Sequence, residues 1–117
     1  MWLGLDKWIA GYYAFQARSH YKRHRYTLCH RYLRLLSQWD EHFLSNPMYA
    51  GYMAICNYEL KNWDNIITEV ETALFLLRRH ANESPDAQNL WQDLKNHLTD
   101  LRHVKSQSMP IRQAGGI

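Results

Sequence analysis

The three prolines stand at positions 47, 85 and 110, so the first 46 residues contain none. Glycine is equally scarce, with five in all and two of them adjacent at Gly115-Gly116. Proline removes an amide donor and clashes with the preceding turn. Glycine loses the most backbone freedom on ordering. A chain so short of both, and rich between them in Ala, Leu, Arg, Lys, Gln and Glu, is free to form long helices. No alternating apolar run bounded by turn residues suggests a strand. The expected fold class is all-α, with about five helices.

Apolar periodicity places those helices. The first covers about residues 2–23, where Trp2, Leu5, Trp8-Ile9, Tyr12 and Phe15 recur at helical spacing. The second runs from Tyr26 to about Leu44, its stripe made by Tyr26, Cys29, Leu33, Leu36, Trp39 and Phe43. Ser45-Asn46-Pro47 ends it, because proline disfavours a helical conformation in the residue before it. A third helix over about 48–61 carries Tyr49, Met53, Cys56 and Leu60. A fourth, from Trp63 to about Arg79, carries Ile66, Ile67, Val70, Leu74 and Leu77. Ser84-Pro85-Asp86 reads as an N-cap, a first-turn proline and an acid suited to the N-terminal dipole. The fifth helix that follows is apolar along Ala87, Leu90-Trp91, Leu94, Leu98 and Leu101 and polar on its other side, as a closing helix would be. The periodicity stops near Lys105, which predicts one domain over residues 1–104 and an unstructured tail over 105–117.

With 46% hydrophobic and 14% aromatic residues the chain is too apolar to remain disordered. Charge is uneven. Residues 1–38 hold seven Lys/Arg against the single acid Asp6, a net +6, whereas residues 39–117 are net −3. That asymmetry suggests an anionic partner for the first half, a pairing of the two halves, or a solvated basic face. Cys29 and Cys56 fall on apolar faces outside any CxxC motif and read as small buried hydrophobes, which fits a reducing compartment. The N-terminal stretch has no basic leader, and no window approaches the ~18 apolar residues of a membrane span, so a cytoplasmic protein is expected.

An internal repeat adds detail. Ala17, Tyr21, Tyr26 and Cys29 align without a gap, 37 residues on, with Ala54, Tyr58, Trp63 and Ile66. Each set spans the end of one predicted helix, a turn and the start of the next. This pattern resembles the tetratricopeptide repeat, covering about residues 10–80. Tyr58-Glu59-Leu60-Lys61-Asn62-Trp63-Asp64 matches the family's turn region most closely, and Ala17 and Ala54 occupy its small-residue position. The copies depart from the family in their 37-residue spacing, in Leu36 where a small residue is usual, and in a first turn, His24-Arg25, without glycine. The resemblance implies antiparallel helix pairs with a C-terminal capping helix, and Trp63 as a buried turn aromatic.

The resemblance further implies a concave groove. Carried over residue by residue, its lining is Gly11, Ala14, Arg18, Tyr21 and Lys22 from the first copy, and Met48, Gly51, Ile55, Tyr58 and Glu59 from the second. Arg18 and Lys22 could hold an acidic group there by charge-assisted hydrogen bonds. The competing reading packs these positions against the fifth helix or the N-terminal segment. Two repeats seldom bury their own faces, so a partner protein or a homo-oligomer could complete the stack. Trp2, Leu5 and Trp8 either reach outside the domain or fold back into it.

Other chemistry is thinly represented. His20 and His24 are spaced i,i+4 and Cys29-His30 follow, but a turn should separate them, and zinc requires three or four converging ligands. Neither a Gly-rich phosphate loop, a nucleophile elbow nor an HExxH motif is present, so no enzyme and no cofactor is expected. Lys22, Arg23, Arg25, Arg31 and Arg34, interleaved with tyrosines, could contact phosphates and stack on bases, which makes nucleic-acid binding the alternative. The leading expectation is a non-catalytic adaptor or chaperone gripping a peptide or helix of another protein. In size and fold it resembles the dedicated chaperones of bacterial secretion systems.

Overall fold

A computed structural model describes residues 2–116, and their side chains except at 2–4, 6, 44 and 104–116. Five α-helices follow in order: α1 (Trp2–Lys22), α2 (Tyr26–Trp39), α3 (Pro47–Glu59), α4 (Ile66–Leu77) and α5 (Pro85–Gly116). A 3-10 turn, Phe43–Ser45, lies between α2 and α3. The all-α class and the helix count match the sequence expectation. The trace of α5 runs through the segment read as a tail, whose side chains lie outside the described ones.

Helices pack as consecutive pairs, α1 on α2 and α3 on α4, with α5 against both α3 and α4. The 37-residue repeat reappears in the backbone. His24 and Lys61, 37 apart, both take the left-handed conformation, at φ 60° and 64°. At the first turn Arg25 N–H donates to His20 O (2.9 Å) and His24 N–H to Tyr21 O (3.0 Å). At the second, Asn62 N–H donates to Asn57 O (2.8 Å) and Lys61 N–H to Tyr58 O (3.1 Å). Both are the paired bonds that close a helix through a left-handed residue. The core repeats too: Ala17, Cys29, Leu33 and Leu36 are buried, as are their equivalents Ala54, Ile66, Val70 and Ala73.

Side-chain caps start α3 and α5 where the sequence places them. Asn46 Oδ1 accepts from Met48 N–H (2.9 Å) and Tyr49 N–H (3.3 Å), with Pro47 opening the helix. Ser84 Oγ accepts from Ala87 N–H at 3.1 Å, with Pro85 next and Asp86 in the first turn.

Before α5, two boundaries differ from expectation by three residues or more. The second helix stops at Trp39, not Leu44, because Asp40 turns extended and its carboxylate captures the His42 N–H (2.9 Å). Phe43 therefore enters the core from the separate 3-10 turn, stacked on Tyr49, and Trp39 is exposed instead of extending the stripe. The fourth helix starts at Ile66, not Trp63, because Asn65 sits at φ 56°. Trp63, expected to be buried, is 52% exposed and meets Tyr58 edge-on, with ring centroids 5.5 Å apart.

Candidate protein-binding surface on α1 and α3

The groove positions separate into a covered half and an open half. In the second copy the groove is filled by α5. Gly51 is buried beneath Leu90, so close that an added Cβ would lie 2.6 Å from Leu90 Cδ2. Ile55 is buried alongside. Tyr58 meets the His97 ring edge-on at 4.1 Å, and Glu59 lies 3.2 Å from His97 Nε2. The contacts Gly51–Leu90 and Tyr58–His97 share one offset of 39 residues, so α5 lies parallel to α3.

The C-terminal end of α1 is engaged by the same helix. Lys22 Nζ lies 3.2 Å and Arg18 Nη1 3.9 Å from Asp86 Oδ2, all at partly exposed positions. Tyr21 Oη donates to Asp93 Oδ2 at 3.0 Å, and its ring packs on Tyr52 with centroids 4.5 Å apart. Burial and the Asp93 carboxylate together push the Tyr21 hydroxyl far above the usual tyrosine range. Tyr52 is pushed up to about 12, by burial first and then by Asp86. The cations assigned to a ligand's carboxylate thus already hold one from their own chain, and the two oppositely charged halves of the sequence pair through Asp86. The competing expectation, packing against the fifth helix, describes Tyr21, Gly51, Tyr58 and Glu59.

What remains open lies nearer the start of α1. Gly11, Ala14, Phe15 and Arg18 form one wall of a cleft of about 350 Å³, and Met48, Tyr49 and Tyr52 of α3 form the other. An added Cβ on Gly11 would meet nothing within 4 Å. Beside the cleft, Leu5, Trp8, Tyr12 and Phe15 are 45%, 71%, 47% and 61% exposed. Spaced by three, four and three residues, they share one face of α1. Of the three N-terminal apolar residues first suspected of reaching outside the domain, Leu5 and Trp8 are exposed to solvent, and the Trp2 side chain lies outside the described ones. Sequence periodicity marked this stripe as apolar. Its exposure was not readable there, because the same spacing marks a core face.

The basic set of the first half is spread over several faces. Arg23, Arg25, Arg31 and Arg34 are all exposed. Arg31 and Arg34 line a shallow hollow on α2 with Thr27, His30 and Gln38. Burial, and then the nearby Arg34 charge, lower the pKa of His30. The histidines do not converge. His20 stacks on Tyr32 at 5.5 Å, His24 hydrogen-bonds the Tyr26 hydroxyl at 2.8 Å, and Cys29 is in the core. Among the described residues no group of three His, Cys, Asp or Glu is placed to hold a metal, and no helix is long and apolar enough to cross a membrane.

Comparison of the chain with protein-family models, curated proteins and solved structures finds no match.

Proposed function

We propose that this protein is a non-catalytic adaptor or chaperone of tetratricopeptide-like construction, which binds a segment of another protein on α1 and the cleft beside it. One observation carries the reading: four large apolar side chains in register, Leu5, Trp8, Tyr12 and Phe15, face solvent beside an unfilled cleft. Contiguous apolar surface of this kind marks interaction sites in soluble proteins, whereas scattered exposed side chains need no explanation. Aromatic residues are also the side chains that dominate binding energy at interfaces. The 37-residue equivalence of turns and core supports the repeat construction, in which the ends of the stack are the faces that need covering.

The test is a native pull-down with tagged protein, divided into nuclease-treated and untreated halves. One protein retained in stoichiometric amount in both halves is the expected result. Retention that disappears with nuclease would transfer the function to nucleic-acid binding through Arg23, Arg25, Arg31 and Arg34. These side chains are exposed and make no ion pair among the described residues.

A further inference from the structure

Helix α1 meets two environments along its length. Its C-terminal end is touched by α5, whose first three turns present Asp86 to Arg18 and Lys22, Leu90 to the Gly51 backbone, and Asp93 to the Tyr21 hydroxyl. The groove is therefore occupied, within the chain, by an amphipathic helix carrying carboxylates along one edge of an apolar face. The N-terminal half has the same needs and no such helix among the described residues. Leu5, Trp8, Tyr12 and Phe15 stand exposed, and Lys7, Arg18 and Lys22 fall along the edge of that stripe at helical spacings of eleven and four. Asp6 is the one acid between residue 1 and Asp40, so the acids near this rail come from elsewhere: Asp86 beside Arg18 and Lys22, and Asp40 and Glu41 in the hollow that Lys7 lines.

From this we infer that the α1 stripe receives an acidic amphipathic helix from another protein, its apolar residues on Trp8 and Phe15 and its carboxylates along Lys7, Arg18 and Lys22. The inference rests on the protein-binding reading and specifies the partner's chemistry. Charge disfavours a second copy of this chain, because apposing two such faces would set Lys7, Arg18 and Lys22 of one copy against the same three cations of the other. Like charges so placed oppose association. Opposite charge speeds encounter and fixes orientation, while the aromatic stripe supplies apolar burial. Leu5 to Phe15 extends about 15 Å along the helix axis, so about three turns of the partner suffice to cover it. Arg18 and Lys22 keep capacity for a further carboxylate: each is more than half exposed, and their side chains carry several donors.

The test uses three fluorescently labelled probes of equal size. One is a synthetic helical peptide with leucines at three- and four-residue spacing and glutamates elsewhere. The second is the same peptide with lysine for every glutamate, and the third is a single-stranded oligonucleotide. Anisotropy titrations are run with the full chain and with Trp8→Glu, Phe15→Glu and the double change Lys7→Glu, Arg18→Glu. Circular dichroism checks that each variant retains its helicity, which the exposure of Trp8 and Phe15 allows. The expected result is binding of the acidic peptide, weakened about ten-fold or more by each variant and weakened again by added salt. Equal binding of both peptides, or acidic-peptide binding that survives Trp8→Glu and Phe15→Glu, overturns the acidic-helix inference and leaves the protein-binding reading standing. Binding of the oligonucleotide alone, or of no probe, overturns both. Sedimentation of the wild type as a dimer that Trp8→Glu converts to monomer assigns the stripe to a second copy and overturns the inference.

Discussion

Leu90 of α5 lies directly over Gly51 of α3, at a position where a single added methyl group would come within 2.6 Å of its Cδ2 atom. The absence of a side chain at Gly51 is what brings α5 down onto α3. At Gly11, which lines the open cleft, an added Cβ would meet nothing within 4 Å. Two glycines on neighbouring helices are therefore under opposite constraints.

Gly51→Ala should lower stability by about 1 kcal/mol, because overpacking costs of about 1–3 kcal/mol exceed the gain in helix propensity. Leu90 is itself buried and has little room to turn aside. Gly11→Ala should raise stability by about 0.5–1 kcal/mol, since only the propensity gain applies. Urea denaturation of both variants checks the pair, and the opposite signs are the point of the measurement.

Trp63→Ala should cost only about 1 kcal/mol, the scale of one aromatic edge contact, because Trp63 is 52% exposed against Tyr58. A loss of about 3–5 kcal/mol, as for a core aromatic, would return Trp63 to the interior position that the repeat resemblance implies. Thermal melts of the variant distinguish the two.

Alkaline pH should unfold the protein through its buried phenols. The hydroxyls of Tyr21 and Tyr52 titrate above the ordinary value of 10.0, Tyr52 at about 12. A folded-state pKa raised in this way means stability that is complete below pH 10 and is lost as pH rises through the folded values. Ultraviolet titration of phenolate should show these two ionising only as helicity is lost. Tyr52→Phe should flatten part of the decline.

Reversing Arg18 and Lys22 to glutamate should cost less than about 1 kcal/mol, since both pairs with Asp86 are partly exposed and screened by solvent. Helicity by circular dichroism should be unchanged, while a partner that docks along this rail should be lost.

The thiols of Cys29 and Cys56 should be silent to an aromatic disulfide reagent in the native protein and react only on unfolding. Both are fully buried. Their mutual hydrogen bond, and then burial, push the Cys56 thiol well above its ordinary range and keep it protonated. Labelling rates measured against urea concentration should follow the unfolding transition.

Much of this fold could be read in the sequence because local signals agreed with tertiary packing. The α2 stripe of Cys29, Leu33 and Leu36 is buried as its period requires, and Asn46 and Ser84 cap helices where their side chains predict. The errors arose where a local hydrogen bond competed with periodicity. Asp40 ends α2 early by capturing the His42 amide, and left-handed Asn65 delays α4 so that Trp63 remains outside. The site was half legible. Arg18 and Lys22 were expected to hold an acidic group of a partner, and the carboxylate beside them in the structure is Asp86 of α5. Apolar spacing in α1 could not tell a core face from an uncovered one, because helical period records which residues lie together and not what lies opposite them.

The bond from Tyr21 to Asp93 spans 72 residues of sequence, so the first helix completes its surroundings only when the last one arrives. Synthesis proceeds from the N-terminus at about 5–20 residues per second, so the newly made α1–α2 hairpin waits several seconds with its aromatic wall uncovered. Throughout that interval the emerging chain offers more sticky surface than the finished molecule. A truncated product ending before residue 85 would lack Asp86, Leu90 and Asp93 and remain in that condition permanently. Self-association is therefore the hazard to look for in incomplete chains.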